Sequence, residues 1–243
     1  MRILLLADIH GNYPALQAID DHFTTTVFDA IVNCGDSLVY APFANEVIDW
    51  LIGHRAVSIL GNTDKKVLKL LRGKTVPKPG KAEKRVMYTH TAEQLDKRCI
   101  AYLQSLAISA ELVIGPGKGQ GGKMGIFHGS PARPHEFLFA TTPTARFAEL
   151  AEQFPYLVVA VGHSHTPFHF HLGGCHFINP GSVGRMFDGN PAASCAVLTV
   201  DRSKLTVEHH RIAYDIRAVT AELARQQLPP IYQTMFEQGK KLN

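Results

Sequence analysis

The first sixty residues alternate short apolar runs with segments of helical periodicity. The runs RILLLAD, FDAIVNCGD and AVSILGN each stop at polar residues, which is typical of strands buried on both faces. In GNYPALQAIDDHF, Leu16, Ile19 and Phe23 recur at helical spacing, and ANEVIDWL is also amphipathic. Asn12 can cap the first of these helices, and Pro14 suits its first turn. The alternation predicts mostly parallel strands with helices packed on the sheet.

The pattern changes after residue 64, first to helical and irregular, then to rich in β-structure. We interpret about residues 65–111 as a cap-like helical insertion within a single domain spanning residues 1–243. Six apolar runs follow as expected strands: AELVIGPG, KMGIFHGS, LVVAVGHSH, CHFINPGS, SCAVLTV and KLTVEHHRI. Residues 197–213 are predicted to form a hairpin that turns at DRSK, and IRAVTAELARQQ a closing helix.

One glycine-rich stretch, GKGQGGK at 117–123, has the spacing of a phosphate-binding P-loop. A P-loop needs Ser or Thr after its lysine and a helix next. Here Met124 follows Lys123, and the segment KMGIFHGS is strand-like. The stretch is therefore predicted to be the tip of a hairpin.

Composition narrows the class of protein. The 243 residues are 45% hydrophobic, enough for a sizeable core, and carry 25 basic and 21 acidic residues without a long single-sign block. This balance of charges is not the strongly basic pattern typical of proteins that bind nucleic acids. The cysteines have no CxxC pair, which disfavours a zinc ribbon or disulfide scaffold: Cys34, Cys99, Cys175 and Cys195. The apolar start is too short for a secretory signal, and no run reaches the length of a membrane span, so we expect a cytoplasmic protein without membrane attachment.

Ligand-type side chains stand at the ends of five apolar runs: Asp8, His10, Asp36, Asn62, His128, His163 and His165. The carboxyl ends of parallel strands meet at one edge of a sheet, so these residues are expected to converge. In an extended segment i and i+2 side chains point the same way, which would let Asp8 and His10 hold one ion. His163 and His165 could do likewise or serve two neighbouring ions. A lone Asp or Asn is more often a cap or turn former, and a lone His is usually a surface or hydrogen-bonded residue. The joint pattern nevertheless predicts a dinuclear metal centre suited to displacement at phosphorus.

The motifs DIH at 8–10, GD at 35–36, GN at 61–62, HG at 128–129 and GHSH at 162–165 resemble the ordered motif set of the calcineurin-like metallophosphoesterases. The resemblance covers about residues 1–200. The stretches DIHGN, ANEVIDWL, HGSP and NPGSVGRMFDGNPAAS are similar to the small single-domain phosphodiesterase branch. This resemblance implies an α/β fold, an αββα sandwich of two mixed β-sheets flanked by helices.

The resemblance also implies a role for each ligand-type residue. Asp8, His10 and His165 would hold the first metal, and Asp36 would bridge. Asn62, His128 and His163 would hold the second, with Asp36, Asn62 and His128 acting in catalysis. A hydroxide bridging the ions would be the nucleophile, and the mixed donors suit Mn, Fe, Zn or Ni. Two further residues, Asn12 and Ser130, are equally suited to contacting phosphate and to capping or turn formation.

The segment GNTD at 61–64 departs from the family at Thr63, where many members have a histidine that stabilises the leaving group. A threonine carries no charge at neutral pH, which favours diesters and activated esters over ordinary monoesters. Alternatively Thr63 is only a turn residue, and His90 or His135 supplies the proton. The expected function is phosphodiesterase action on a small phosphoester. The alternatives are a protein or nucleotide phosphatase, including a dinucleoside polyphosphate hydrolase, and a weakly active scaffold similar to a retromer subunit.

Overall fold

A computed structural model describes residues 1–76, 80–115, 122–201 and 204–243 of the chain. The strands are β1 (Arg2–Leu6), β2 (Ala30–Asn33), β3 (Val57–Ser58), β4 (Ser109–Ile114), β5 (Gly122–Phe127), β6 (Val158–Ala160), β7 (Phe168–Leu172), β8 (Cys175–Asn179), β9 (Ala193–Asp201) and β10 (Lys204–Ile212). The helices are α1 (Tyr13–His22), α2 (Ala44–Gly53), α3 (Asn62–Leu71), α4 (Ala82–Gln94), α5 (Lys97–Ser105), α6 (Thr144–Gln153), α7 (Ile216–Arg225) and α8 (Ile231–Gln238).

The strands form two sheets of five strands each. The first has the order β10-β9-β1-β2-β3, and the second has the order β4-β5-β6-β8-β7. β1, β2 and β3 are parallel, whereas β9 and β10 join them in antiparallel pairing. The second sheet is likewise parallel at its centre, from β5 through β6 to β8, and antiparallel at both edges. The alternation in the first sixty residues therefore predicts the parallel part correctly, and the antiparallel strands make both sheets mixed.

The sheets face each other across a shared apolar core. Ile3 and Leu5 of β1 point into this core, where Met124 and Ile126 of β5 meet them. Leu4 of β1 points the other way, into a second core shared with the helices. β1 is thus buried on both faces, as its unbroken apolar run predicts. The helix α6 covers the outer face of the second sheet, which completes the αββα sandwich.

The region between β3 and β4 is helical, with α3, α4 and α5 in sequence. Val67, Met87 and Cys99, one from each helix, belong to the same buried cluster as Leu16 of α1. These helices are therefore packed on the outer face of the first sheet and share its core with α1 and α2.

Several boundaries differ from expectation. The run AVSILGN yields a strand of only two residues, β3, because the chain then leaves the sheet and enters α3 at Asn62. The expected hairpins are present as antiparallel pairs of β4 with β5 and β9 with β10. Most of the glycine-rich tip, residues 116–121, and the DRSK turn residues 202–203 lie outside the described residues.

Across the described ranges, none of the helices has the length and apolar character needed to cross a membrane.

Candidate metal centre

The loops at one edge of the two sheets bring the ligand-type residues together. Asp8 and His10 follow β1, Asp36 follows β2, and Asn62 opens α3. His128 follows β5 directly, and His163 and His165 lie after β6. Two compact groups result, which we name the first cluster (Asp8, His10 and His165) and the second cluster (Asp36, His128 and His163). Within each cluster one ligand atom from every residue lies within 4.8 Å of the others.

The backbone at these residues is unusual. Asp8, His10, Asp36, His163 and His165 all have positive φ, between 52° and 69°. The left-handed region is sparsely populated by residues other than glycine and costs on the order of 1–3 kcal/mol each. The expectation that Asp8 and His10 align through an extended segment is therefore wrong, because β1 ends at Leu6 and both residues lie in a tight turn. The orientation of these side chains is therefore set by the turns and not by the two-residue repeat of an extended strand.

The first cluster is formed by two imidazoles and a carboxylate. The Nδ1 atom of His10 donates to Leu38 O over 3.2 Å, and Nδ1 of His165 donates to Arg185 O over 2.5 Å. The Nε2 atoms of the two rings lie 3.2 Å apart. Asp8 Oδ1 lies 3.3 Å from the Nε2 atom of His165 and 3.8 Å from that of His10.

The hydrogen positions in this cluster follow from its partners. A backbone carbonyl only accepts, so both Nδ1 atoms carry the hydrogen and both neutral rings present an Nε2 lone pair to the cluster. Those lone pairs face each other and the carboxylate of Asp8. Oδ1 of Asp8 is a buried oxygen with no hydrogen-bond partner among the described residues. Electron-rich atoms converging without a hydrogen between them fit a cation.

In the second cluster a backbone carbonyl again orients a histidine ring. Nδ1 of His128 donates to Cys34 O over 2.9 Å, which directs its Nε2 inward. That Nε2 lies 3.3 Å from Asp36 Oδ2 and 3.2 Å from Asn62 Oδ1. The clusters are joined through the backbone, since the amide of His163 donates to Asp8 Oδ2 over 2.8 Å. The second cluster can thus draw on imidazole, carboxylate and amide donors.

Burial governs protonation in both clusters. It lowers the pKa of His10 and the pKa of His163 to about 4, and it lowers the pKa of His165 well below its usual value. Burial opposes charge on His128 as well, but the Asp36 carboxylate outweighs it and raises the pKa of His128 to about 9. Desolvation raises the pKa of Asp8 well above its ordinary value. Three of the four imidazoles are therefore neutral at pH 7, the state in which they bind metal.

Asp64 stabilises the loop that carries Asp36 of the second cluster. Its Oδ2 accepts from the amides of Asp36 and Gly61 at 2.9 Å each and from that of Ser37 at 3.3 Å, and its Oδ1 accepts from Leu38 at 3.0 Å. Burial and the Asp36 charge raise the pKa of Asp64 to about 6, so it is ionised at neutral pH. In the sequence, Asp64 stands out only as the last residue of the segment GNTD. Its acidity near a helix start is a signal for the bond from Gly61, but its other partners lie 26–28 residues away.

Gly61 brings the chain close enough for this network. A Cβ at Gly61 would lie 2.1 Å from Asp36 Oδ1 and 2.2 Å from Asp36 N. Any side chain there would displace the Asp36 carboxylate, which explains the glycine before Asn62.

Thr63 is tied into the same loops. Its amide donates to Asp36 Oδ1 over 2.7 Å, and its hydroxyl donates to Leu38 O over 3.2 Å. The single hydroxyl hydrogen is thus directed at a backbone carbonyl. Of the two alternative proton donors, His135 lies beside the centre, 6.4 Å from His163 between ring centroids. His90 lines a separate depression between α2, α4 and α7.

Asn12 and Ser130 have local partners. The side chain of Asn12 accepts from the amide of Ala15 and donates to Gly184 O, so it caps α1. The hydroxyl of Ser130 donates to the Glu136 carboxylate. Both residues are buried, and these contacts account for their presence without a phosphate.

The chain matches one known protein family over most of its length. The calcineurin-like phosphoesterase superfamily domain matches residues 1–203. This chain belongs to that superfamily. The chain is also similar to an uncharacterized protein of Methanocaldococcus jannaschii, with 27% identity over 246 residues that cover 93% of each chain.

Two solved structures resemble this chain over nearly their whole length. A metallophosphoesterase from Sphaerobacter thermophilus is 28% identical, with a TM-score of 0.77 over 98% of this chain and 99% of its own. The hypothetical protein PH1004 from Pyrococcus horikoshii has a TM-score of 0.86 at 20% identity, covering 99% of both chains. The second likeness shows the shared fold.

Proposed function

We propose that this protein is a metal-dependent phosphodiesterase with a dinuclear centre. Asp8, His10 and His165 would hold one divalent ion. Asn62, His128 and His163 would hold the second, with Asp36 shared between the two. The observation that carries the proposal is the inward-facing Nε2 pair of His10 and His165 beside the unpartnered Asp8 Oδ1.

The donors restrict the choice of metal. Imidazole, carboxylate and amide oxygen together suit Mn, Fe, Zn or Ni better than Mg or Ca. Such a pair of ions, when bound, lowers the pKa of water and offsets the negative charge of a phosphoester. In the hydrolysis, water adds to phosphorus, the bond to the leaving oxygen breaks, and the products are a phosphomonoester and an alcohol or phenol.

The residues of the chain prepare this reaction. Backbone carbonyls at Leu38, Arg185 and Cys34 fix the tautomers of His10, His165 and His128, so no proton must leave the first two rings before they bind. The Thr63 amide holds Oδ1 of Asp36 and thereby orients that carboxylate. Because the turns are strained and supported by Asp64, the donors are positioned before an ion arrives.

The preference for diesters rests on Thr63. An alkoxide leaving group needs a nearby proton donor, and general acid help of this kind contributes on the order of a hundredfold or more. The hydroxyl hydrogen of Thr63 is directed at Leu38 O, and threonine carries no charge at neutral pH. A diester brings one negative charge fewer than a monoester, so with a good leaving group it needs this help least.

A panel of two esters and several metals tests the proposal. The chelated protein is supplied with Mn, Fe, Zn or Ni in turn and assayed with bis(p-nitrophenyl) phosphate and p-nitrophenyl phosphate. We expect metal-dependent hydrolysis with a clear preference for the diester. Hydrolysis that prefers the monoester would contradict the diester assignment, and no hydrolysis with any metal would favour a scaffold role.

A further inference from the structure

One wall of the cleft above the clusters carries three basic side chains, which we name the cationic wall: Lys84, Arg185 and Lys241. They line the cleft together with His10, Thr63 and His165. Arg185 is the unusual member, because only 6% of its surface is exposed. A buried charge is normally paired with an opposite charge, since desolvation costs several kcal/mol.

Arg185 has no such partner. Among the described residues, no carboxylate lies within ion-pair distance of its guanidinium, and its buried Nε atom has no hydrogen-bond partner. Its Nη2 donates to the sulfur of Met235, over 3.0 Å. Its Cζ lies 3.9 Å from the ring centroid of Tyr40 and 5.1 Å from that of Phe187. Aromatic rings hold the cation in place but do not supply the negative charge that its N–H donors would pair with.

Further positive charge is concentrated around this group. Nζ of Lys241 lies 5.7 Å from the Phe187 centroid, so Lys241 and Arg185 share one ring. Burial, followed by the charges of Arg185 and Lys241, lowers the pKa of Lys84 to about 8, with Glu83 acting weakly in the opposite sense. Like charges held together in a partly buried cleft form a site for an anion.

Tyr40 connects the cationic wall with the first cluster. Its ring contacts both the guanidinium of Arg185 and the imidazole of His10, whose centroid is 5.1 Å from that of Tyr40. The cationic wall and the ligand residues therefore line the same cleft as neighbours. A substrate whose reacting phosphate lies at the clusters can place a second anionic group at the guanidinium.

The same cleft is also lined by two exposed aromatic side chains, Phe137 and Phe139. Phe137 is 51% exposed and Phe139 is 37% exposed, which is unusual for such large apolar side chains. Phe137 stacks on His163 with 4.1 Å between centroids and an interplanar angle of 11°. Phe139 lies nearly parallel to Phe137 at 6.2 Å. Exposed parallel rings of this kind can stack with a nucleobase.

We infer that the substrate is a nucleotide phosphoester bearing a second phosphate, with that phosphate bound by Arg185, Lys84 and Lys241 and the base against Phe137 and Phe139. This inference rests on the proposed function for the reacting ester, but the anion site itself does not need catalysis. It specifies a substrate class that the family alone leaves open. It also assigns Arg185 a role in substrate binding that is separate from its backbone contact to His165.

Two matched substrates test the inference. The p-nitrophenyl ester of thymidine 5′-phosphate and the same ester with an added 3′-phosphate have the same base, reacting group and leaving group. We expect kcat/KM to favour the second by about tenfold or more in the wild type, as a charge-assisted contact to phosphate predicts. Arg185→Met should abolish most of that preference, and Lys84→Met should reduce it. Arg217→Met, at an exposed position on α7, removes the same charge and should keep the wild-type ratio.

A binding experiment without metal tests the anion site separately from the proposed phosphodiesterase function. Calorimetry on chelated protein compares thymidine 3′,5′-bisphosphate with thymidine 5′-phosphate. The inference predicts tighter binding of the bisphosphate, lost in Arg185→Met and partly retained in Arg185→Lys. If this holds while neither ester is hydrolysed, the anion site stands and the proposed function fails. If the esters are hydrolysed but the wild type shows no preference for the second phosphate, or Arg185→Met keeps it, the anion site is refuted.

Discussion

The Nε2 atoms of His10 and His165 lie 3.2 Å apart, and neither neutral ring has a hydrogen there to give to the other. Burial holds the pKa of His10 at about 4 and keeps that of His165 well below its ordinary value. In an unfolded chain both would titrate near 6.5.

This difference predicts how the metal-free protein responds to acid. Between pH about 6.5 and 4 the unfolded chain binds more protons than the folded one at His10, His163 and His165, so these three residues lower the free energy of unfolding as the pH falls. Asp8 and Asp64 act in the opposite sense, because their raised pKa values let the folded chain bind protons that the unfolded chain has released. His128 also opposes the three, since its pKa of about 9 contributes stability that is lost as the pH rises through 9. His10→Gln removes one of the three destabilising imidazoles, so between pH 7 and pH 5 the variant should lose less stability, or gain more, than the wild type. Urea denaturation of both chelated proteins measures this difference, and an identical change in the two would contradict the lowered pKa of His10.

Asp36 is the residue proposed to serve both ions. Asp36→Asn keeps the shape of the side chain but removes its charge, so we expect a loss of activity of about a hundredfold or more and weaker binding of metal. Asp21→Asn, on the exposed face of α1, is the matched control. The rate of bis(p-nitrophenyl) phosphate hydrolysis measures the effect, and a near-normal rate in Asp36→Asn would rule out the shared role.

Asp64 should affect the centre through the backbone. In Asp64→Asn one carboxylate oxygen becomes an NH2 group, which cannot accept a hydrogen bond. The variant therefore loses either the bonds from the amides of Asp36, Ser37 and Gly61 to Oδ2 or the bond from the amide of Leu38 to Oδ1. We expect a loss of stability of roughly 1–3 kcal/mol. Metal affinity should fall as well, because Asp36 is no longer held. Denaturation and metal titration measure the two effects. An unchanged metal affinity in folded Asp64→Asn would show that this network does not position Asp36.

Thr63→His tests the account of ester preference. An imidazole at this position can be protonated and can assist a departing alkoxide, so the ratio of diester to monoester hydrolysis should fall. The substitution also removes the hydroxyl bond to Leu38 O, so Thr63→Val is the control that removes this bond alone. A ratio unchanged in Thr63→His, with metal content intact, would assign the proton donor elsewhere, with His135 as the nearby candidate.

Much of the architecture follows from local pattern. The apolar run of β1 and the helical spacing after Asn12 predict a strand and a capped helix, and both are present. The ends of apolar runs also predict which residues meet, because strand ends share an edge of a sheet. The orientation of these side chains could not be predicted, because it is set at Asp8 and His10 by turns with positive φ and not by an extended backbone.

The long-range contacts of Asp64 and Arg185 could not be predicted from local sequence patterns either. Asp64 is bonded to amides 26–28 residues earlier in the chain, which no periodicity reveals. Arg185 appears in the sequence as one basic residue among many. Its distinction is burial between Tyr40 and Phe187 without a carboxylate among the described residues, and this arises only when distant segments pack together.

The central claim is a two-metal centre that hydrolyses diesters, and a metal titration of chelated protein tests it most directly. Activity toward bis(p-nitrophenyl) phosphate is followed as metal is added, and bound metal is counted by elemental analysis. The account predicts no activity without metal and a rate that reaches its plateau at two ions per chain. Full activity in chelated protein, or a plateau at one bound ion, would contradict it.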